Sequence, residues 1–171
     1  MLKPGQTAPD LDLPLTIDAR FVLSDQTPDE FTMLVFYRGK HCPICKRYLE
    51  ELSGRLSDFT DRGINVFAIC MDDEERAMVV DKEWNTHDLP LVYDLSEEQA
   101  REWGLYISEK REGSQEPEKF SEPGLFLLRP DLSLYLAITQ SAPFTRPSLD
   151  QLLEGIDIIK KNDYPPRGTL T

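Results

Sequence analysis

The chain has 171 residues, of which 40% are hydrophobic, and it carries a formal net charge of -12 at pH 7. This length is enough to bury one hydrophobic core but is short for two ordinary domains, so we expect one domain over residues 1–171. Affinity for a phosphate backbone depends on Lys and Arg. Because 31 Asp plus Glu stand against 19 Lys plus Arg, nucleic acid is not an expected partner.

The longest apolar runs, such as residues 32–37 and 124–128, are far shorter than the roughly 20 residues that span a bilayer. Residues 1–5 lack the basic start, apolar stretch and small-residue cleavage site of a secretory signal. We therefore expect no membrane contact and a cytoplasmic location. In such a reducing compartment, a close cysteine pair is more often catalytic or metal-binding than structural.

The N-terminal third contains three strand candidates. Residues 11–15 and 20–23 are short candidates, and the turn at 17–19 between them predicts a hairpin. Residues 32–37 form a β-branched and aromatic run, bounded by Arg38 and Gly39, that is typical of a central strand buried on both faces.

A helical stripe of apolar residues begins after Pro43 and continues to Phe59, and Gly63 is a natural C-terminal cap for it. Strand and helix patterns then alternate: a strand at 64–71, a helix from the acids at 72–75 toward Trp84, a strand at 90–93 and a helix at 97–103. Residues 108–121 are polar and without periodicity, which predicts the main loop.

The last third predicts an antiparallel hairpin from residues 125–128 and 134–139, followed by an amphipathic helix over 149–159. The prolines after Tyr164 cannot continue that helix. The alternation of strands and helices predicts an α/β domain in which helices cover the faces of a sheet.

A Cys-x-x-Cys pair, Cys42 and Cys45, follows the predicted central strand and begins a helix. Pro43 suits the first helical position, so Cys42 is predicted at or next to the N-cap, where free backbone amides face its sulfur. These amides, the helix dipole and the neighbouring Lys40 and His41 favour the thiolate, and such settings lower a cysteine pKa from about 8.5 to roughly 3.5–7.5. Cys42 is the predicted nucleophile, and Cys45, one turn further in and more shielded, is the predicted resolving thiol.

Two thiolates could instead form half of a tetrahedral zinc site. A second pair is missing, because Cys70 is isolated in a predicted strand and only His41 and His87 remain. Cys70 is most simply a small buried hydrophobic residue. We therefore expect neither a metal nor a cofactor.

The central strand, the Cys-Pro-Ile-Cys helix start and residues 123–126 resemble the thioredoxin superfamily. Residues 4–10 and 35–39, with the hairpin at 124–140 and Arg146, more closely resemble peroxiredoxin-like proteins of the alkyl hydroperoxide reductase/thiol-specific antioxidant (AhpC/TSA) family, over nearly the whole chain. The resemblance implies a thioredoxin-like fold, a central mixed sheet flanked by helices with an N-terminal β-hairpin extension. It also places Cys42 at the first thioredoxin cysteine and Pro123 at that fold's cis-proline, so a cis Glu122–Pro123 bond is expected.

The chain departs from the family pattern at two positions. Typical peroxiredoxins carry a threonine three residues before the reactive cysteine and an arginine just before the Gly-Leu-Phe strand, where this chain has Gly39 and Pro123. That arginine normally polarises the peroxide and steadies the thiolate. Peroxidase activity therefore needs another donor, for which Arg38 and Arg146 are the candidates, while His41 is a candidate for electrostatic tuning of Cys42.

Two functions of different classes remain open at this point. The first is an enzyme in which Cys42 attacks a peroxide or a disulfide, Cys45 resolves the intermediate, and a cellular thiol reductant of the thioredoxin or glutathione type restores the pair. The second is a non-catalytic redox sensor or metal-binding interaction module, suggested by the acidic composition and the polar residues 108–121. The resemblance is also compatible with a homodimer.

Overall fold

The computed structural model describes residues 2–86 and 88–170. Nine strands are present in this part of the chain: β1 (Asp12–Pro14), β2 (Arg20–Val22), β3 (Phe31–Phe36), β4 (Ile64–Ile69), β5 (Leu91–Val92), β6 (Ile107–Glu109), β7 (Lys119–Ser121), β8 (Gly124–Leu128) and β9 (Leu134–Thr139). Five α-helices accompany them: α1 (Pro43–Gly54), α2 (Leu56–Thr60), α3 (Glu74–Glu83), α4 (Glu97–Glu102) and α5 (Leu149–Asn162).

The centre of the fold is a five-stranded mixed sheet with the strand order β5-β4-β3-β8-β9. Strand β3 is parallel to β4 and antiparallel to β8, and all six of its residues are buried. Two apolar clusters cover the two faces of the sheet, one containing Leu49 and Ile156, the other Phe21 and Trp103. The predicted α/β thioredoxin-like fold with a buried central strand is therefore confirmed.

The predicted N-terminal hairpin is also confirmed, because β1 and β2 pair antiparallel in a small separate sheet. Leu13 of β1 and Phe21 of β2 lie opposite each other, are buried, and belong to the second apolar cluster. The alternation of buried and exposed residues explains why a period-2 pattern detected both strands.

The helix predicted to run from Pro43 to Phe59 is interrupted. It divides into α1 and α2 at Arg55, whose backbone lies at φ −118° and ψ 15°. Gly54 has low helix propensity, and Arg55 is held at the break by hydrogen bonds to Asp58 and to Asp150 of α5. Gly63 was predicted to cap the helix, but the C-cap of α2 is Asp61; Gly63, with φ +80°, ends the following turn and donates its N–H to the Thr60 carbonyl.

Residues 108–121 were expected to form a loop, and this prediction is wrong at both ends. Strands β6 and β7 pair antiparallel, with Ser108 opposite Phe120, and only residues 110–118 connect them. Each strand has three residues, too few to establish a period in the sequence. The hairpin is anchored by Phe120, which is fully buried, and by Glu116, a buried acid in its connection.

Among the described residues, α5 is the longest helix with 14 residues, and no helix has the length and apolar character needed to cross a bilayer. Ser148 caps α5 by accepting the Gln151 N–H, and Asp163 ends the helix in the left-handed conformation. The expected stop before Tyr164 is therefore present.

Candidate active site

The Cys-x-x-Cys pair lies at the start of α1, where the chain leaves the carboxyl end of β3. Pro43 occupies the first turn of the helix, and Cys42 is the N-cap, with its Sγ accepting the Cys45 N–H at 3.2 Å. Cys42 and Cys45 form a disulfide, and both residues are buried, 1% and 0% exposed. The sequence placed the pair correctly, but solvent exposure does not distinguish the two sulfurs.

Asp72 organises the turn that leads to Cys42. This carboxylate lies just beyond β4, the parallel neighbour of β3, and accepts the Lys40 backbone N–H at 2.6 Å and the Arg76 Nε–H at 2.8 Å. It fills the space beside Gly39, whose φ is +116°, so that a Cβ at Gly39 would lie 2.6 Å from both carboxylate oxygens. Glycine therefore stands where the family pattern has threonine because Asp72 occupies the place of a side chain.

His41 is partly buried and neutral at neutral pH. Burial, with the nearby Arg38 and Arg76, lowers its pKa to about 4 against the opposing charges of Asp72 and Glu116. Arg76 Nη2 lies 3.4 Å from His41 Nδ1, which places the imidazole proton on Nε2. The expected electrostatic tuning of Cys42 by His41 therefore does not come from a positive charge near neutral pH, because the ring is partly buried and two arginines lie near it, which the sequence did not show.

We expect His41 to make the protein lose stability as the pH falls from about 6.5 toward 4. In this range the unfolded chain binds a proton at His41 and the folded chain does not, because its folded pKa is about 4. Urea unfolding at pH 7.5 and pH 5 measures the loss, and His41→Gln should reduce it. An equal loss in the variant would show that other groups, such as Glu116, produce it.

Arg38 is surrounded by the β6–β7 hairpin. Its guanidinium lies 3.3 Å from a carboxylate oxygen of Glu116 and 3.3 Å from one of Glu122, and it stacks over Phe120 at 4.6 Å from the ring centroid. Both carboxylates are buried. Arg38 is thus already paired with two acids, which competes with the predicted role of binding a peroxide.

Glu116 and Glu122 are site residues that the sequence analysis missed. Arg111 donates hydrogen bonds to Glu116 through its side chain and backbone, and these bonds hold the pKa of Glu116 at about 2. Ser108 Oγ donates to Glu122 at 2.6 Å. A buried acid in a polar loop has the same sequence signal as a solvated one, so only the three-dimensional contacts distinguish them.

The expected cis bond before Pro123 is wrong, because the Glu122–Pro123 bond is trans. The chain passes extended from β7 into β8, with the Glu122 N–H donated to the Tyr106 carbonyl and the Pro123 carbonyl accepting the Gln140 N–H. Both hydrogen bonds form with the trans isomer, which proline itself prefers by about 0.5–1 kcal/mol. Pro123 is buried and precedes Gly124, which lies opposite Phe36 at the end of β3.

Arg146 reaches the pair from the loop between β9 and α5. Its Nη2 donates to Cys45 Sγ at 3.2 Å, and its guanidinium stacks over the Tyr48 ring at 4.9 Å. Burial lowers the pKa of Arg146 to about 10, which leaves it a cation at neutral pH. Of the two arginine candidates, Arg146 is the one that contacts a sulfur of the disulfide, and that sulfur belongs to Cys45.

Cys70 follows β4 and is fully buried as a free thiol. Burial raises its pKa well above the usual range, with the charge of Asp72 acting in the same direction. A thiol of this kind is unreactive. Within residues 2–86 and 88–170, no group of three or more His, Cys, Asp or Glu is placed to hold a metal, and His87 lies outside these ranges.

The sequence profile of the AhpC/TSA family matches residues 4–136. A 1-Cys peroxiredoxin of Medicago truncatula is 22% identical over 163 residues, which span 92% of this chain and 72% of that protein. Among solved structures, the reduced 2-Cys peroxiredoxin of Plasmodium vivax matches with a TM-score of 0.79 at 14% identity, covering 95% of this chain and 84% of the other. Peroxidoxin BcpB of Mycobacterium tuberculosis matches with a TM-score of 0.74 at 21% identity, covering 93% and 99%.

The structural matches agree with the fold built above, and the family profile covers more than half of the chain. Cys42 and Cys45, at the start of α1, lie within the matched residues. The chain therefore belongs to the AhpC/TSA family, whose thioredoxin-like domain carries thiol-dependent peroxide reduction.

Proposed function

We propose that this protein reduces peroxides through a dithiol–disulfide cycle of Cys42 and Cys45. The observation that carries the proposal is the pairing of the two sulfurs at the N-terminus of α1, where Cys42 accepts a backbone N–H and Cys45 contacts Arg146. An amide at a helix N-terminus and a guanidinium both favour a sulfur that carries negative charge.

The cycle has three steps. The Cys42 thiolate attacks one peroxide oxygen, the O–O bond breaks, and the other oxygen leaves as water or an alcohol after taking up a proton. The Cys45 thiolate then attacks the sulfur of the Cys42 sulfenic acid; the S–S bond forms, the S–O bond breaks, and the hydroxide leaves as water after taking up a proton. A dithiol or two monothiols of the thioredoxin or glutathione type supply two electrons to reduce the disulfide, which restores both thiols.

Exchange with a disulfide substrate is the second candidate, favoured by Gly39 and Pro123 at the two family positions and by the pairing of Arg38 with Glu116 and Glu122. The family profile favours a peroxide as the substrate, because it matches residues 4–136, which include Cys42 and Cys45. We also propose that the protein works in the reducing environment of the cytoplasm, which keeps Cys42 and Cys45 available as thiols between cycles.

The deciding experiment gives the reduced protein hydrogen peroxide and, separately, an oxidised model peptide with a disulfide. We expect peroxide consumption with a Cys42–Cys45 disulfide as the product, identified by mass spectrometry of the intact protein and its peptides. Peptide reduction without peroxide consumption would support the exchange reaction instead. If neither substrate is consumed, the result would favour a non-catalytic redox sensor. A partner that binds only one oxidation state of the Cys42–Cys45 pair should then be sought.

A further inference from the structure

Arg146 lies against the sulfur of Cys45, the proposed resolving thiol. It stacks over Tyr48 of α1, while the Tyr48 hydroxyl donates to the carbonyl of Pro147, the residue next to Arg146. From this position Arg146 Nη2 donates to Cys45 Sγ at 3.2 Å. The sulfur of Cys42, by contrast, accepts a neutral donor, the Cys45 backbone N–H. A charged donor stabilises an anion more strongly than a neutral one does.

The charge of Arg146 lacks a direct counter-ion in the part of the chain that the structure describes. No carboxylate lies within ion-pair distance of it, and its Nε is buried without a hydrogen-bond acceptor. The charged and titratable groups that act on it are Tyr48 of α1, Glu122 between β7 and β8, and Arg38 after β3, which opposes the other two. A half-buried cation whose buried Nε has no acceptor is costly, so this position suits an anion that forms during the reaction.

We propose that Arg146 is a catalytic residue for disulfide chemistry, which stabilises the Cys45 thiolate whenever the Cys42–Cys45 bond forms or breaks. The inference rests on the proposed function and assigns Arg146 to resolution and recycling rather than to the attack on peroxide. When a reductant thiolate attacks Cys42 Sγ, the new S–S bond forms as the old one breaks, and the electron pair remains on Cys45 Sγ beside the guanidinium. In the resolving step, the same contact keeps Cys45 deprotonated for its attack on the Cys42 sulfenic acid.

The contact between Arg146 and Cys45 also determines which sulfur of the disulfide the reductant attacks. Attack at Cys42 expels the sulfur that faces a cation, whereas attack at Cys45 would expel the one that faces a neutral amide. Leaving thiols of lower pKa depart faster. Mixed disulfides with the reductant should therefore form on Cys42.

The first test is the ultraviolet thiolate titration of Cys45 in the Cys42→Ser background. Removing the charge with Arg146→Met should raise the Cys45 pKa by about one to three units, and Arg146→Lys should restore part of the shift. Arg47→Met is the matched control, because Arg47 is an exposed arginine that lines the same surface pocket as Tyr48 and Arg146. An unchanged Cys45 pKa in Arg146→Met, or an equal shift in Arg47→Met, would overturn the inference.

The second test follows reduction of the oxidised protein by dithiothreitol at fixed pH. Arg146→Met should slow reduction by about three- to tenfold, while Arg47→Met should leave it unchanged. Circular dichroism checks that each variant is folded. If Arg146→Met does not fold, Arg146→Gln gives the same comparison with a neutral donor. Reduction at the wild-type rate in a folded neutral variant would overturn the inference.

A third measurement separates this inference from the proposed function. The attack on hydrogen peroxide is followed as sulfenic acid formation in the Cys45→Ser background, where Arg146→Met should leave the rate within about twofold. A larger loss there would assign Arg146 to the peroxide and overturn the inference. If the wild type does not consume peroxide at all, the proposed function fails, but the titration and the reduction rate still decide the role of Arg146.

Discussion

Replacing Cys42 with serine should abolish peroxide consumption, with a loss of at least about a thousandfold. The hydroxyl of serine is not ionised at neutral pH, and the backbone N–H of Cys45 cannot compensate for a nucleophile that is absent. Steady-state consumption of hydrogen peroxide with a thiol reductant in excess measures the loss. Turnover at the wild-type rate in Cys42→Ser would show that the chemistry lies elsewhere.

The other two cysteines provide the comparison. Cys45→Ser should consume about one peroxide per chain and then accumulate a sulfenic acid or a mixed disulfide on Cys42, because the resolving thiol is missing. Cys70→Ala should retain activity, since Cys70 is buried and separate from the disulfide. A full catalytic cycle in Cys45→Ser, with a dithiol reductant and at the wild-type rate, would contradict the proposed resolving role.

Restoring the side chain that the family pattern has at Gly39 should destabilise the protein. Gly39→Ala combines a left-handed backbone, which costs about 1–2 kcal/mol, with an overpacked Cβ, which costs about 1–3 kcal/mol. Asp72 cannot move aside cheaply, because it is 2% exposed and bonded to Lys40 and Arg76. We therefore expect a loss of about 2–5 kcal/mol in the free energy of unfolding, and at least as much for Gly39→Thr.

Gly113→Ala is the matched control, because Gly113 also has positive φ, +72°, but no atom lies within 4 Å of its added Cβ. Gly113→Ala should lower the free energy of unfolding by only the cost of the left-handed backbone, about 1–2 kcal/mol. Urea unfolding of both variants in the same buffer gives the difference that belongs to Asp72. Equal losses would mean that the carboxylate yields to the new methyl group and that the contact is not restrictive.

The sequence predicted the sheet well, because its strands carry strong local signals. The six buried residues of β3 and the proline after Cys42 are visible without any long-range information. The elements that were missed depend on contacts distant in sequence. Strands β6 and β7 have three residues each, and the interruption at Arg55 is held by Asp150, which lies 95 residues later.

At the candidate active site, too, local sequence signals were predictable and contacts distant in sequence were not. The positions of Cys42 and Cys45 follow from local spacing, whereas the charges around them do not. His41 was expected to tune Cys42 electrostatically, but burial, together with Arg38 and Arg76, lowers its pKa and keeps it neutral. Arg38 and Arg146 were equivalent candidates from sequence, and only the fold distinguishes the one paired with two buried acids from the one that contacts a sulfur.

The buried thiol of Cys70 can serve as a labelling probe for the stability of the fold. In the oxidised chain it is the one free cysteine of three, and it reacts with an alkylating reagent only after the surrounding core has opened. The ratio of its labelling rate in native buffer to that in denaturant therefore gives the unfolding equilibrium constant when closing is faster than labelling. Stabilities could be compared among variants that keep the disulfide without an added dye, with the labelling rate in denaturant as the common reference.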